Sequence, residues 1–123
     1  MADVTNVEEL IKDIPAMEKI KWLPRMERDY IIKHVNNFFI EHKLVKSALE
    51  RCNFEQGFRY FGEAQQSKGR ALELVDGVYR KGLISSTDSN SIVKYILDFN
   101  EIKIRDFITK IKVCEHKHVV EIK

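Results

Sequence analysis

Residues 24–52 run PRMERDYIIKHVNNFFIEHKLVKSALERC. Within them Ile31, Val35, Phe38, His42, Val45, Leu49 and Cys52 recur at alternating steps of four and three. That spacing draws one apolar stripe down a long helix, because residues three and four apart share a face. Pro24 suits the first turn, where a missing amide costs nothing. Continued to Gly82, the helix would reach about 85 Å at about 1.5 Å per residue, too long for a compact domain. Asn53 offers the break, since its side chain caps a new helix and Gln56, three residues on, completes a capping box.

The same periodicity extends outward. After Asn53 the apolar positions Phe54, Phe58, Phe61, Leu72, Val75 and Tyr79 predict a second long helix, closed by a cationic Lys81 and the turn-tolerant Gly82. Gly62 and Gly69 fall inside it, where interior glycine weakens a helix by about 1 kcal/mol against alanine. They mark either the close approach of a second helix or partner backbone or, as the favoured reading, a kink or break with Ser67 recapping a new helix. Ser85 to Asn90 is turn and cap chemistry. A third long helix then carries Ile92, Val93, Ile96, Leu97, Phe99, Ile104, Phe107, Ile108 and Ile111 without a Pro or Gly to interrupt it. Upstream, Thr5 or Asn6 caps a short segment bearing Val7, Leu10, Ile11 and Ile14. Pro15 breaks that segment, and Met17, Ile20 and Leu23 carry it on to Pro24. The tail from Val113 to Lys123 alternates enough to suit either a strand or a fraying helix end.

These segments predict an all-α fold, an antiparallel helical bundle of three long helices plus a short, proline-interrupted N-terminal helix. The expected organisation is one domain over residues 1–123: a short segment at 1–23, a three-helix core at 24–112 and a tail at 113–123. With 123 residues the chain is long enough to hide about two-thirds of its unfolded surface without staples.

Composition narrows the function classes. The 21 basic and 19 acidic residues leave a net charge of +2, spread without a single-sign run. The longest stretch free of Asp, Glu, Lys and Arg is His34 to Ile40, far short of the about 20 residues that span a membrane. Asp3, Glu8 and Glu9 interrupt any signal-peptide hydrophobic region at the start. Two cysteines make no disulfide framework and suggest a reducing, cytoplasmic setting, with Cys52 an inert core thiol at the end of its stripe.

The informative irregularity is polar residues on apolar stripes. His42 stands between Phe38 and Val45, Gln65 and Lys68 between Phe61 and Leu72, and Asn100 within the apolar arc of the last helix. Folding the chain at Asn53 and again near Ile84 brings His42, Gln65, Lys68 and Asn100 to one level. Such a layer is either a structural hydrogen-bonded set, since an unpaired buried polar group costs about 1–3 kcal/mol, or a ligand pocket with His42 as base and Lys68 as anion contact.

Other constellations are thinner. Cys114, His116 and His118 would share a face on a strand and suit zinc or copper, but they supply only three ligands. No Glu-x-x-His pair, phosphate loop or nucleophile elbow occurs, so no catalysis and no cofactor are expected. Tyr30, Ile40, Leu44 and Ala48 form an apolar surplus away from the main stripe, suited to the N-terminal segment, a homodimer or a protein partner. Lys94, Arg105 and Lys112 share the outer face of the last helix but are interleaved with Asp98 and Glu101, a weak basis for nucleic-acid binding. The expected function is therefore protein–protein interaction, as a regulator, adaptor or immunity-type protein. Nucleic-acid binding, or ligand or metal binding at the polar layer, is the alternative.

Overall fold

The computed structural model describes residues 7–122, with side chains as far as Glu115. The described residues form six helices: α1 (Val7–Asp13), α2 (Met17–Ile20), α3 (Arg25–Glu50), α4 (Phe54–Arg80), α5 (Ser86–Asp98) and α6 (Ile104–Ile122). They include no strand, so the chain is all-helical, and the backbone of the tail continues α6. The capping role expected of Thr5 or Asn6 lies outside the described residues.

The α3–α4 hairpin is built by its turn. Cys52 adopts φ +58°, the left-handed conformation that ends many helices and usually falls to glycine. On either side of it the Asn53 amide donates to the Ala48 carbonyl at 2.8 Å and the Cys52 amide to that of Leu49 at 3.0 Å. This is the Schellman pattern, which closes orphan carbonyls at a helix end. Asn53 Oδ1 then accepts from the Gln56 amide at 3.2 Å, the cap expected from sequence. Gly82 (φ +77°) ends α4 in the same way, with Leu83 donating to Val78 at 2.9 Å.

Cross-helix contacts fix the pairing as antiparallel. Glu41 of α3 meets Ser67 of α4, and Glu27 meets Lys81, equal steps backward on one helix and forward on the other. The α3 stripe from Ile31 to Leu49 is buried as its spacing requires. On α4 the buried face differs from the aromatic stripe: it runs Gly57, Ala64, Ser67, Ala71, Val75 and Val78, while Phe58 and Tyr79 are exposed. Small residues win this face because they let the α4 backbone approach α3. A Cβ at Gly57 would lie 3.3 Å from both Leu49 Cδ2 and Phe107 Cε2.

Two further expectations are corrected. Helix α4 runs unbroken through Gly62 and Gly69, beside which nothing lies within 4 Å of an added Cβ, so neither marks a kink. The last helix is not continuous: residues 99–103 leave the helix and separate α5 from α6. The core divides accordingly. A large cluster joins Leu10, Met17, Ile20, Val35, Phe38, Val75, Ile92 and Ile96, and a small one joins Val45, Leu49 and Phe107, edged by Phe54, Phe61 and Ile102.

Because Gly62 and Gly69 sit in a straight helix facing open space, Gly62→Ala and Gly69→Ala should each stabilise the protein by about 0.5–1 kcal/mol. Gly57→Val, crowding Leu49 and Phe107, should destabilise it by about 1–3 kcal/mol. Urea titration of the three variants measures all three signs.

Candidate functional site

The α5–α6 elbow is where the polar residues of the stripes meet. The Glu101 amide donates to the Phe99 carbonyl at 2.8 Å, turning the chain out of the helix, and the Lys103 amide donates to Asp106 Oδ2 at 2.8 Å, closing the start of α6. The turn directs Glu101 inward. Its Oε1 takes Lys68 Nζ at 3.1 Å and its Oε2 accepts from Gln65 Nε2 at 3.3 Å. The Lys68 and Glu101 side chains are only 19% and 17% exposed, which makes this the most shielded ion pair among those described. One residue on, the Ile102 amide donates to His42 Nε2 at 3.0 Å, and the His42 ring lies edge-on to Phe99 with centroids 4.9 Å apart. Ser67 Oγ donates to Glu41 Oε1 at 2.6 Å beside them.

Thus His42, Gln65 and Lys68 do converge on one level, between the two apolar clusters. Asn100 does not join them; it is exposed, and Glu101 takes the inward place. The displacement follows from the helix break, since leaving the helix at Phe99 rotates every later residue away from its helical direction. Glu101 was missed because a helical projection puts it on the outer face with Lys94. The signal for the break was present in Asp106, an acidic residue three positions after Lys103 and able to cap a new helix there.

The geometry specifies protonation. To accept from the Ile102 amide, Nε2 must carry its lone pair, so His42 is neutral with its proton on Nδ1. Burial agrees, holding the imidazole below its ordinary 6.5, with Lys46 adding to that effect and Glu101 opposing it. Burial likewise raises the Glu41 carboxyl, against the Ser67 hydrogen bond and with help from Glu63.

Chemically the layer is closed on itself. The His42 nitrogen that would act as a base holds a backbone amide, and the Lys68 ammonium that would meet an anion holds Glu101. A shallow cleft of about 230 Å³ lies on the other side of His42, walled by Phe39, Tyr95 and Phe99 with Glu9 and Asp13 at α1. Burial, and secondarily Asp13, raises the Tyr95 phenol.

The remaining expected site residues separate. Tyr30, Ile40 and Leu44 are exposed, whereas Ala48 is fully buried against the α4 turn at Gly57 and leaves the apolar surplus. Cys114 is bonded to Cys52, with Cα atoms 6.1 Å apart, so its sulfur is not available to a metal and Cys52 is no inert core thiol. The pairing also removes the argument from cysteine number to a reducing compartment. The side chains of His116 and His118 lie outside the described residues, and no group of three His, Cys, Asp or Glu among the described ones could hold a metal ion. Lys94 now stands on α5 while Arg105 and Lys112 stand on α6, which breaks the shared basic face. No helix is long and apolar enough to cross a membrane among the described residues. Comparison with protein-family profiles, with curated proteins and with solved structures returned no match.

Replacing Glu101 with Ala strands the Lys68 ammonium and should destabilise the fold by about 1–2 kcal/mol. A double-mutant cycle with Lys68→Ala should return a coupling of about 0.5–1.5 kcal/mol by chemical denaturation. His42 gives a pH test. Its folded pKa lies below the unfolded one, so the unfolded chain binds more protons and stability is lost as pH falls through about 6.5 toward the lowered folded value. At pH 8 His42→Leu, which leaves the Ile102 amide without its acceptor, should be less stable than the parent by about 1–2 kcal/mol. That difference should shrink toward pH 5, as read from paired thermal melts.

Proposed function

We propose that this chain is a non-catalytic helical protein that works by binding another protein chain through the outward face of α3. The observation that carries the reading is a strip of large apolar side chains that stays one-third or more exposed, flanked by α4 beside Tyr30 and by α1 beside Ile40. Met26 (67% exposed), Tyr30 (48%), Ile40 (47%) and Leu44 (37%) lie on one α3 face, and Trp22 (75%) stands just ahead of the helix. At about 100° per residue the four α3 positions fall within about 40° of the Met26 direction, along about 27 Å of helix.

Tryptophan, tyrosine and methionine are residue types that protein interfaces favour, and the two aromatics bury much area at low entropic loss. Lys33, exposed, and Asn37, half-buried, interrupt the strip. Two observations support this reading over ligand or nucleic-acid binding: His42 Nε2 and Lys68 Nζ are already engaged within the chain, and Lys94 stands on a different helix from Arg105 and Lys112. An arrangement as a compact antiparallel bundle fits the role, since it holds α3 rigid and presents its outer face.

Sedimentation velocity and capture from native extract test the reading together. The wild-type protein should associate with itself or retain a partner protein. The pair Tyr30→Glu and Leu44→Glu should weaken that complex by at least about tenfold while leaving the thermal melt unchanged. A complex indifferent to the pair, or a monomer that retains nothing, overturns the proposal.

A further inference from the structure

We propose that the Cys52–Cys114 bridge is a thiol–disulfide exchange site that latches α6 to the α3–α4 hairpin, and that a dithiol reductant opens it. Little else holds α6. Among its residues up to Glu115, only Phe107 and Cys114 are buried, while Ile104, Ile108 and Val113 are more than half exposed. Among the residues described with side chains, the helix is therefore held mainly at two buried points, with Lys110 and Ile111 half-buried between them. One is Phe107, seated over Gly57, stacked on Phe58 at 4.3 Å and edge-on to Phe61 at 5.6 Å. The other is the bridge, nearly two turns further along, which joins positions 62 residues apart.

Two more features make the bridge a latch rather than a staple through the core. Cys52 stands exposed at the tip of the hairpin turn, and Cys114 is buried, so a thiolate reaches the pair from the Cys52 side. The elbow that precedes α6 is anchored independently, by Ile102 on His42 and Glu101 on Lys68 and Gln65. When the bridge opens, α6 can swing from Lys103 onward while the elbow and the larger core keep their contacts.

The exchange balances in two displacements. A thiolate of the dithiol attacks Cys52 Sγ, a mixed disulfide forms, and the Cys52–Cys114 bond breaks with its electron pair leaving on Cys114, which takes a proton from water. The second thiol of the reductant, deprotonated, attacks its own sulfur in the mixed disulfide. The reductant closes to a disulfide, and Cys52 leaves as a thiolate and is protonated. The protein gains two electrons and two protons, and the dithiol is oxidised. Oxidation by a disulfide of the same class runs the sequence backward and reseats the helix.

Hydrogen exchange on the full chain, oxidised and then treated with dithiothreitol, provides the test, with thiol alkylation to count opened bridges. Reduction should accelerate exchange of the α6 amides around Phe107 to Cys114 by at least about tenfold, while α3 and α4 amides around Ile31 to Phe38 and Ala71 to Val78 stay protected. A monothiol quenched early should be found by mass spectrometry on Cys52 rather than Cys114. Cys52→Gly, which suits the left-handed turn, should show the fast α6 exchange without reductant. Four outcomes overturn the proposal: the bridge is absent in oxidised protein, it resists reduction until the whole chain unfolds, α6 keeps its protection once reduced, or reduction unfolds α3 and α4 together with α6.

Discussion

The three residues Arg51, Cys52 and Asn53 set the level of everything else in this protein. A turn one residue longer or shorter would rotate the α4 faces by about 100° against α3. Ala64, Ala71 and Val75 would leave the interface, and Gln65 and Lys68 would move off the level of His42. The turn resists such slippage because each of its three amides has an assigned acceptor, the carbonyls of Ser47, Leu49 and Ala48, and the Asn53 side chain in turn accepts from the Gln56 amide ahead of it. It also requires a non-glycine residue at positive φ, which costs about 1–2 kcal/mol, and Cys52 is held there by its bond to Cys114. In the entropic account, closing 62 residues removes freedom from the unfolded chain worth about 4 kcal/mol, more than enough to offset that local strain.

The polar layer follows from the turn and solves the problem of the elbow. Breaking a helix between Phe99 and Lys103 exposes backbone amides that need acceptors, and half-buried ones cannot rely on water. His42 answers for Ile102, and Asp106 for Lys103. Glu101 then decides where along the hairpin the elbow rests. A purely apolar seam would allow α5 and α6 to slide by a turn with little loss, whereas a carboxylate that must find both Gln65 and Lys68 has one level at which both are satisfied. In its neutral form His42 is an acceptor for the chain itself, and protonating Nε2 breaks its contact with the Ile102 amide at the elbow.

How much of this was legible in the sequence depended on whether local spacing alone decided the outcome. The Ile31–Leu49 stripe, the Asn53 cap, the Gly82 turn and the interruption at Pro15 were legible, because each is a signal carried within a few residues. The convergence of His42, Gln65 and Lys68 was legible too, since it needs only a hairpin and an approximate register. Asn100 was misplaced because Ile104, Phe107 and Ile111 fall on the same projected apolar arc as Ile92, Ile96 and Leu97 across a gap that is not helical, and no Pro or Gly announces the gap. The α4 face was misread for another reason. Hydrophobicity pointed to Phe58 and Tyr79, whereas close approach to α3 rewards Gly57, Ala64 and Ala71, residues with little hydrophobicity to notice. The bridge between Cys52 and Cys114 has no local signature, because it depends on where α6 returns after the elbow.

The same features divide the buried apolar side chains into two separate clusters. Helices α1 to α5 share one apolar cluster in which Met17, Ile20, Ile31, Val35, Ala71, Val75 and Ile92 are fully enclosed, so opening any one of them exposes the others. Helix α6 shares none of that cluster. It closes a separate one through Phe107, and the polar layer stands between the two. Apolar contact couples neighbours only where it is continuous, and the layer interrupts it with groups that are satisfied within the elbow. Loss of α6 therefore leaves His42, Glu101 and Lys68 paired, and the larger cluster closed. A boundary of satisfied polar groups between two apolar clusters lets one cluster open without exposing the other.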